Sequence, residues 1–267
     1  MNTLNKIIDY KRIETKEREA LYPVKLLERS GYFNSTPVSL KKYVLREDKS
    51  GIIAEIKKQS PSMGVINKYV NVEKTSIGYM QAGASALSVL TDKHFFGGTS
   101  EDLITARKFN FCPILRKDFI INEYQIIESK SIGADAILLI AAVLSKQEII
   151  NLTDVSHALG MEVLLELHDA DELDKMYHKV DVIGVNNRDL ATMKIDINQS
   201  FLMSEFLPKE MVRVSESGIE SVEAIIHLKK YGYKGFLIGS TFMKQPQPHL
   251  ACKEFIKQLN TETLKRN

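Results

Sequence analysis

Two cysteines are all that the 267 residues contain, Cys112 and Cys252, far apart and outside any CxxC or metal-ligand spacing. That excludes a disulfide framework, and a reducing cytosol is the compartment expected. Cys112 lies in an apolar stretch and reads as a small core residue. Charge of one sign is lacking too, since 36 Lys and Arg face 34 Asp and Glu for a net +2. So even a balance implies neither nucleic acid nor an anionic membrane as partner, and any anionic ligand must be met by a local site. The longest apolar run, "AILLIAAVL" from Ala136 to Leu144, is far short of the ~20 residues a membrane helix needs. The opening "MNTLNKIIDYKRIETKER" has no signal-peptide apolar region, which again points to the cytoplasm. The six histidines show neither HxH nor HExxH spacing, so no metal site is expected. His168 follows Glu166 by two but has no third ligand, and reads as a loop residue. No GxGxxG or Walker loop is found, so no nucleotide cofactor is expected.

What the sequence does contain is a recurring unit. From Gly51 onward a helix-like segment ends in Gly, a polar residue follows, and a short apolar strand comes next. "MQAGASALSVLT", "SKSIGADAILLIA", "SHALGMEVLLEL" and "LKKYGYKGFLIGS" are the examples. Gly83, Gly133, Gly160 and Gly232 stand where helices end in left-handed caps. Continuous apolar strands are the mark of parallel strands covered on both faces. The spacing predicts strands over 52–57, 86–91, 112–117, 135–140, 162–167, 181–186, 211–215 and 235–239. Helical patterns such as "QEIINLTDVSHALG" and "SVEAIIHLKKYG" fill the gaps. Eight β/α units in roughly 200 residues predict a (β/α)8 TIM barrel, with a doubly wound open sheet as the alternative. Residues 1–50 fall outside the units, and no Pro/Gly-rich linker separates them. They are expected to form an N-terminal helical extension packed on the barrel, so that 1–267 is one domain. The tail "NTETLKRN" is polar and is expected to fray.

In such a barrel the active site lies at the C-terminal ends of the strands. The informative residues are therefore ionisable groups at strand ends. Strand one ends in Glu55 and Lys57 on one face, opposite Ile52, Ala54 and Ile56. Strand three ends in Arg116, Lys117 and Asp118, and strand five carries Glu166. Strand six finishes in Asn186, Asn187 and Arg188, strand seven in Glu216, Ser217 and Gly218, and strand eight in Gly239 and Ser240. Glu55 and Lys57 could be a structural ion pair. A close pair recovers ~4 kcal/mol at an effective dielectric near 20, while desolvation costs several kcal/mol per ion, so burial makes a poor stabiliser of it. Lys117 alone could bury its stem and keep its ammonium in solvent. Ser217-Gly218 and Gly239-Ser240 could each cap a helix. Paired after strands seven and eight, they fit the usual phosphate site of these barrels. "KHFFGG" at 93–98 reads either as an aromatic wall for a planar ligand or as loop packing.

Together these segments resemble the indole-3-glycerol phosphate synthase family. The resemblance rests on "IIAEIKKQSPSMG", "ALSVLTDKHFFGG", "PILRKDFII", "GADAILLIAAVL", "LLELHD", "IGVNNRDL", "VSESGI" and "FLIGSTFM", spanning roughly residues 50 to 245. Met63, where many members have Lys, and Gly97, where some have a polar residue, are departures within loops. The resemblance implies ring closure of 1-(2-carboxyphenylamino)-1-deoxyribulose 5-phosphate to indole-3-glycerol phosphate, with loss of CO2 and water and without a cofactor. It implies that Lys117 is the acid at the carbonyl oxygen and that Glu166 handles the proton in dehydration. Glu55 would stabilise charge on the anilino nitrogen, and Lys57 would pair with the substrate carboxylate and could supply a second acid. Asn186 and Arg188 would organise the polar network, and Ser217 would contact substrate or support the phosphate. Ser60, Gly218, Gly239 and Ser240 would hold the phosphate, Phe96 and Pro61 would bracket the ring, and Phe119 and Glu216 complete the substrate-binding set. The substrate is then a small sugar phosphate, a monomer is expected, and other tryptophan-pathway enzymes are the candidate partners.

Three other readings compete. A Schiff-base aldolase would use Lys117 as its imine-forming amine. A non-catalytic sugar-phosphate binder would have no reason to keep Glu55, Lys57, Lys117 and Glu166 together. A related isomerase of the same pathway would be expected to pair a Cys base with an Asp acid, and Cys112 sits inside its strand.

Overall fold

The computed structural model describes residues 3–189 and 192–266. Eight strands form a closed barrel: β1 (Ile52–Ile56), β2 (Ala86–Leu90), β3 (Ile114–Lys117), β4 (Ala136–Ile140), β5 (Glu162–Leu167), β6 (Val182–Asn186), β7 (Val212–Glu216) and β8 (Tyr233–Ile238). Every neighbouring pair is parallel, and β8 closes on β1 with Ile52 opposite Phe236. The open sheet is thereby ruled out, because no strand of the eight is left at an edge.

The helices are α1 (Thr3–Leu21), α2 (Val24–Leu27), α3 (Leu40–Val44), α4 (Val72–Gln81), α5 (Ser100–Phe109), α6 (Glu123–Ser131), α7 (Lys146–Ala158), α8 (Asn198–Met203), α9 (Val222–Lys230), α10 (Ser240–Met243) and α11 (Pro248–Arg266). Local chemistry fixes where they start. Thr99 with Asp102 and Ser145 with Glu148 form capping boxes, while Asn71, Asn122 and Ser221 cap α4, α6 and α9. Gly83, Gly133, Gly160 and Gly232 end the preceding helices with φ of 99°, 90°, 76° and 86°, as the repeat predicts.

Alternation along each strand makes two cores. Ile52, Ala54 and Ile56 of β1 face the helices, whereas Ile53 joins Leu115, Leu138, Leu164, Val214 and Leu237 inside the barrel. Leu4, Ile7 and Ile8 of α1 and Leu40 and Val44 of α3 belong to that inner cluster. The polar side of α1 is anchored too: Lys11, 2% exposed, lies 2.8 Å from Asp92 and 3.0 Å from Asp118.

The boundaries differ from the pattern in physical ways. β3 starts at Ile114 because Pro113 has no N–H for the ladder. β8 starts two residues early, at Tyr233, through a register shift before Gly235. The polar tail from residue 260 is helical, since α11 runs to Arg266. No helix of the described residues is long and apolar enough to cross a membrane.

Candidate active site

The strand ends open into one cavity. It is lined by Glu55, Lys57, Phe96, Lys117, Phe119, Glu166, Asn186, Arg188, Glu216, Ser217, Gly218, Gly239 and Ser240, all of them expected from the sequence. Ser60 and Pro61 lie beside it on a hairpin pairing Gln59–Ser60 with Gly64–Val65. That hairpin touches the site through Ser62, whose Oγ accepts from Arg188 at 3.1 Å.

Period two in β3 explains which of its two charged residues faces the cavity centre. Arg116 points outward, donating to Glu128 at 2.7 Å and to Asp118 at 3.1 Å, with Thr91 at 2.9 Å. Lys117 points inward, and its Nζ donates to Glu166 Oε2 at 2.6 Å and to Glu216 Oε2 at 2.9 Å. On β1, Lys57 donates to Glu55 at 2.6 Å. The pair suspected of being structural does exist, and it stands on the cavity wall rather than in the sealed core.

Two glycines make room for the carboxylates. A Cβ on Gly239 would fall 2.2 Å from Glu55 Oε1, and one on Gly184 would fall 2.2 Å from Glu216 Oε1. Gly239 therefore serves Glu55 directly, in addition to any contact with an anion. Ser217 holds a φ of 67°, a left-handed conformation that costs a non-glycine residue roughly 1–3 kcal/mol. Its carbonyl is held by the Asn187 amide at 2.9 Å. Such stored strain is typical of functional turns.

Electrostatics separate the two carboxylates around Lys117. Burial would raise the Glu166 carboxyl, but Lys117, and after it His168, hold it well below the ordinary value. Burial raises Glu216, the Glu166 charge adds to the rise, and Lys117 opposes it. Burial would also strip Lys117 of its proton, yet Glu166 and Glu216 together keep it firmly cationic. One site thus holds an ammonium acid, an ionised carboxylate and a carboxyl inclined to keep its proton, which is how environments split acid from base.

Phe96 and Phe119 stand 5.9 Å apart at a 39° tilt, forming an aromatic side to the cavity. The aromatic-wall reading of "KHFFGG" therefore gains a partner from the loop after β3. Among the lining residues that escaped sequence reasoning are Ile195, Glu220, Thr241 and Lys244. Lys244 follows Ser240 by one helical turn, and that spacing was its only signal. Thr241 donates to the Ile219 carbonyl at 2.9 Å, tying the loops after β7 and β8 together. Cys112 is buried against the helices with its thiol pushed up to about 12 by burial, which removes it as a base. No cluster of potential metal ligands is found among the described residues.

The fold and this cavity define a (β/α)8-barrel enzyme of the acid–base kind. Comparison with known proteins narrows the class. The family profile described as indole-3-glycerol phosphate synthase matches residues 4–255. A protein of that name from Bacteroides thetaiotaomicron is 46% identical over 257 residues, covering 96% of this chain and 98% of its own. One from Prochlorococcus marinus (strain MIT 9301) is 44% identical over 97% of this chain and 90% of its own. One from Caldanaerobacter subterraneus subsp. tengcongensis is 38% identical over 96% and 98%. The tryptophan synthase α subunit of Legionella pneumophila is similar in fold, with a TM-score of 0.60 at 12% identity over 83% of this chain and 97% of its own. The chain belongs to the indole-3-glycerol phosphate synthase family.

Proposed function

We propose that the chain closes the indole ring of tryptophan biosynthesis, converting 1-(2-carboxyphenylamino)-1-deoxyribulose 5-phosphate to indole-3-glycerol phosphate with release of CO2 and water. The observation that carries this reading is Lys117, held cationic between Glu166 and Glu216 at the centre of the cavity. The reaction begins by polarising a ketone so that an electron-rich aromatic carbon can attack it. An ammonium is the acid for that step. Loss of CO2 then returns the electron pair to the ring system. Dehydration follows, with one proton delivered to the departing hydroxyl and one removed from carbon.

In this reading Lys117 protonates the carbonyl oxygen and Glu166 takes the proton in dehydration. Glu55 faces the developing charge on the anilino nitrogen, and Lys57, released from Glu55, pairs with the substrate carboxylate. Asn186 and Arg188 keep the polar network in register; the Arg188 N–H donates to Asn186 Oδ1 at 3.0 Å. Glu216 holds Lys117 in place. Phe96 and Phe119 flank the anthranilate ring, with Pro61 at its edge. Ser217, Gly218, Gly239 and Ser240 receive the phosphate, with Ser60 closing from the hairpin and Lys244 adding a cation.

The cationic state of Lys117 also bears on the aldolase reading. An imine needs a neutral amine, and two adjacent carboxylates oppose that state. Residues 1–50 and the barrel are proposed to act as one domain, since Lys11 reaches from α1 to the ends of β2 and β3. A cytoplasmic monomer is proposed as well, with free, buried cysteines suited to a reducing compartment. Incubating purified protein with the carboxyphenylamino sugar phosphate and recording indole fluorescence tests the activity. Absence of product under saturating substrate would refute it.

A further inference from the structure

His168 occupies a position that the chemistry above leaves unused. Period two along β5 places Leu164, Glu166 and then His168 on the inward face. The imidazole, 11% exposed, sits between two carboxylates: Nε2 is 3.4 Å from Glu166 Oε1, and Nδ1 is 3.7 Å from Glu172 Oε2. Neither ring nitrogen has a hydrogen-bond partner of good geometry. A histidine kept only for packing normally satisfies its buried nitrogens. Glu172 is itself fixed, because its Oε2 accepts the His168 backbone N–H at 2.7 Å.

The groups facing this ring are nearly all anionic. Glu166 approaches from the same strand, Glu172 from the 3-10 turn at Ala170–Lys175, and Glu216 from β7. Gln199 contributes only a neutral amide, donated to the His168 carbonyl. Lys117, from β3, lies on the far side of Glu166. Glu166 therefore meets two different nitrogen groups, Lys117 at Oε2 and His168 at Oε1.

We propose that His168 is a positioning residue which, as imidazolium, holds Oε1 of Glu166 so that this carboxylate stays ionised and aimed when Lys117 turns to the substrate carbonyl. The inference rests on the proton-handling roles proposed for Lys117 and Glu166. While Lys117 is salt-bridged to Glu166, the histidine is redundant. Once substrate draws the ammonium away, the carboxylate is buried beside Glu216 with no cation but His168. Burial raises the carboxyl's proton affinity at that moment, when its role requires it to be a base. Burial would also discharge His168, but Glu172 and Glu166 outweigh it and favour the charged ring.

The test is the pH dependence of kcat in His168→Asn and Glu172→Gln, with Glu166→Gln as reference. Removing an adjacent opposite charge shifts a carboxyl by about 1–3 pH units. The acidic limb of kcat should therefore move to higher pH by at least about one unit in His168→Asn. Turnover should fall about tenfold or more at pH 6 while approaching the wild-type value near pH 8.5. Glu172→Gln, which leaves the ring in place, should move the limb in the same direction by less. In Glu166→Gln the further change His168→Asn should cost nothing. A uniform loss across pH with an unmoved limb, or an unchanged profile, overturns the proposal. Wild-type turnover in Glu166→Gln would instead overturn the role of Glu166 itself, which separates the two failures.

Discussion

Gly239 and Glu55 are in contact across the junction of β8 and β1, so closely that a methyl group on Gly239 would overlap the Glu55 carboxylate. The Cβ of an alanine there would stand 2.2 Å from Oε1 and 3.0 Å from Cδ. Gly239 has a φ of −121°, which any residue tolerates, so the constraint is space rather than backbone conformation. Gly239→Ala must push Glu55 away and with it Lys57, which Glu55 holds at 2.6 Å. A displacement near 1 Å in a catalytic group can cost about 100-fold. We expect Gly239→Ala to lower kcat/KM by roughly 10–100-fold, while the thermal midpoint changes little. Wild-type kcat/KM in that variant would show that the position of Glu55 is immaterial.

Lys117→Met tests the acid and also the charge balance around it. General acid catalysis contributes about 10²–10⁴-fold, so turnover should fall at least that far. The two carboxylates left behind lose their shared cation, and removing one partner of a buried pair costs about 3–5 kcal/mol. Their carboxyl pKa values would rise, so the variant's stability should be greatest at acid pH and decline as pH rises through the folded-state values. Chemical denaturation at pH 5 and pH 8 measures this. A variant equally stable at both, relative to wild type, would contradict the coupling of Lys117 to Glu166 and Glu216.

Much of this arrangement is legible in the sequence because the signals are local and periodic. Glu55, Lys117 and Glu166 each interrupt an apolar strand at its C-terminal end, where only a functional site readily explains a buried charge. The helix-ending glycines and the Ser and Asn caps likewise act within a few residues of themselves. What the sequence hides is set by contacts between distant segments. Arg116 and Lys117 look equivalent as text, and only the strand's alternation and the waiting Glu128 send one outward. Lys11 reads as one charge on an amphipathic helix, yet its partners are roughly eighty and a hundred residues away, at Asp92 and Asp118. His168 lies in the loop after β5, as its sequence suggests, and what the sequence hides is the Glu172 that faces it. The tail beyond residue 260 has no apolar pattern, but α11 carries it to Arg266.

Glu216→Gln isolates the carboxyl whose proton affinity is raised. Burial is the main cause, Glu166 adds to it, and Lys117 opposes. A glutamate with a raised folded-state pKa gives its full stability below the unfolded value near 4.5, and loses it as pH rises through the folded value. Gln keeps the shape without the titration. The stability of Glu216→Gln relative to wild type should therefore increase with pH, by about 1.4 kcal/mol for each unit of pKa elevation. Turnover should fall, since Lys117 loses one of its two anchors. A pH-independent stability difference would refute the raised carboxyl.

Lys11 offers a test of how the N-terminal helix bears on the site. Its ammonium is 2.8 Å from Asp92 and 3.0 Å from Asp118. Asp92 Oδ1 accepts the N–H groups of Phe95 and Phe96, at 2.8 and 3.2 Å, and Asp118 Oδ1 accepts that of Phe119 at 2.8 Å. One lysine therefore neutralises the two carboxylates that fix both aromatic residues of the cavity wall. Lys11→Met leaves Asp92 buried without its cation and Asp118 with Arg116 alone, at a cost of about 3–5 kcal/mol. The loosened Phe96 and Phe119 should bind the substrate ring less well, raising KM more than they lower kcat. Denaturation curves and steady-state kinetics below the unfolding transition measure the two effects separately. A destabilised variant with an unchanged KM would confine Lys11 to stability and detach it from the aromatic wall.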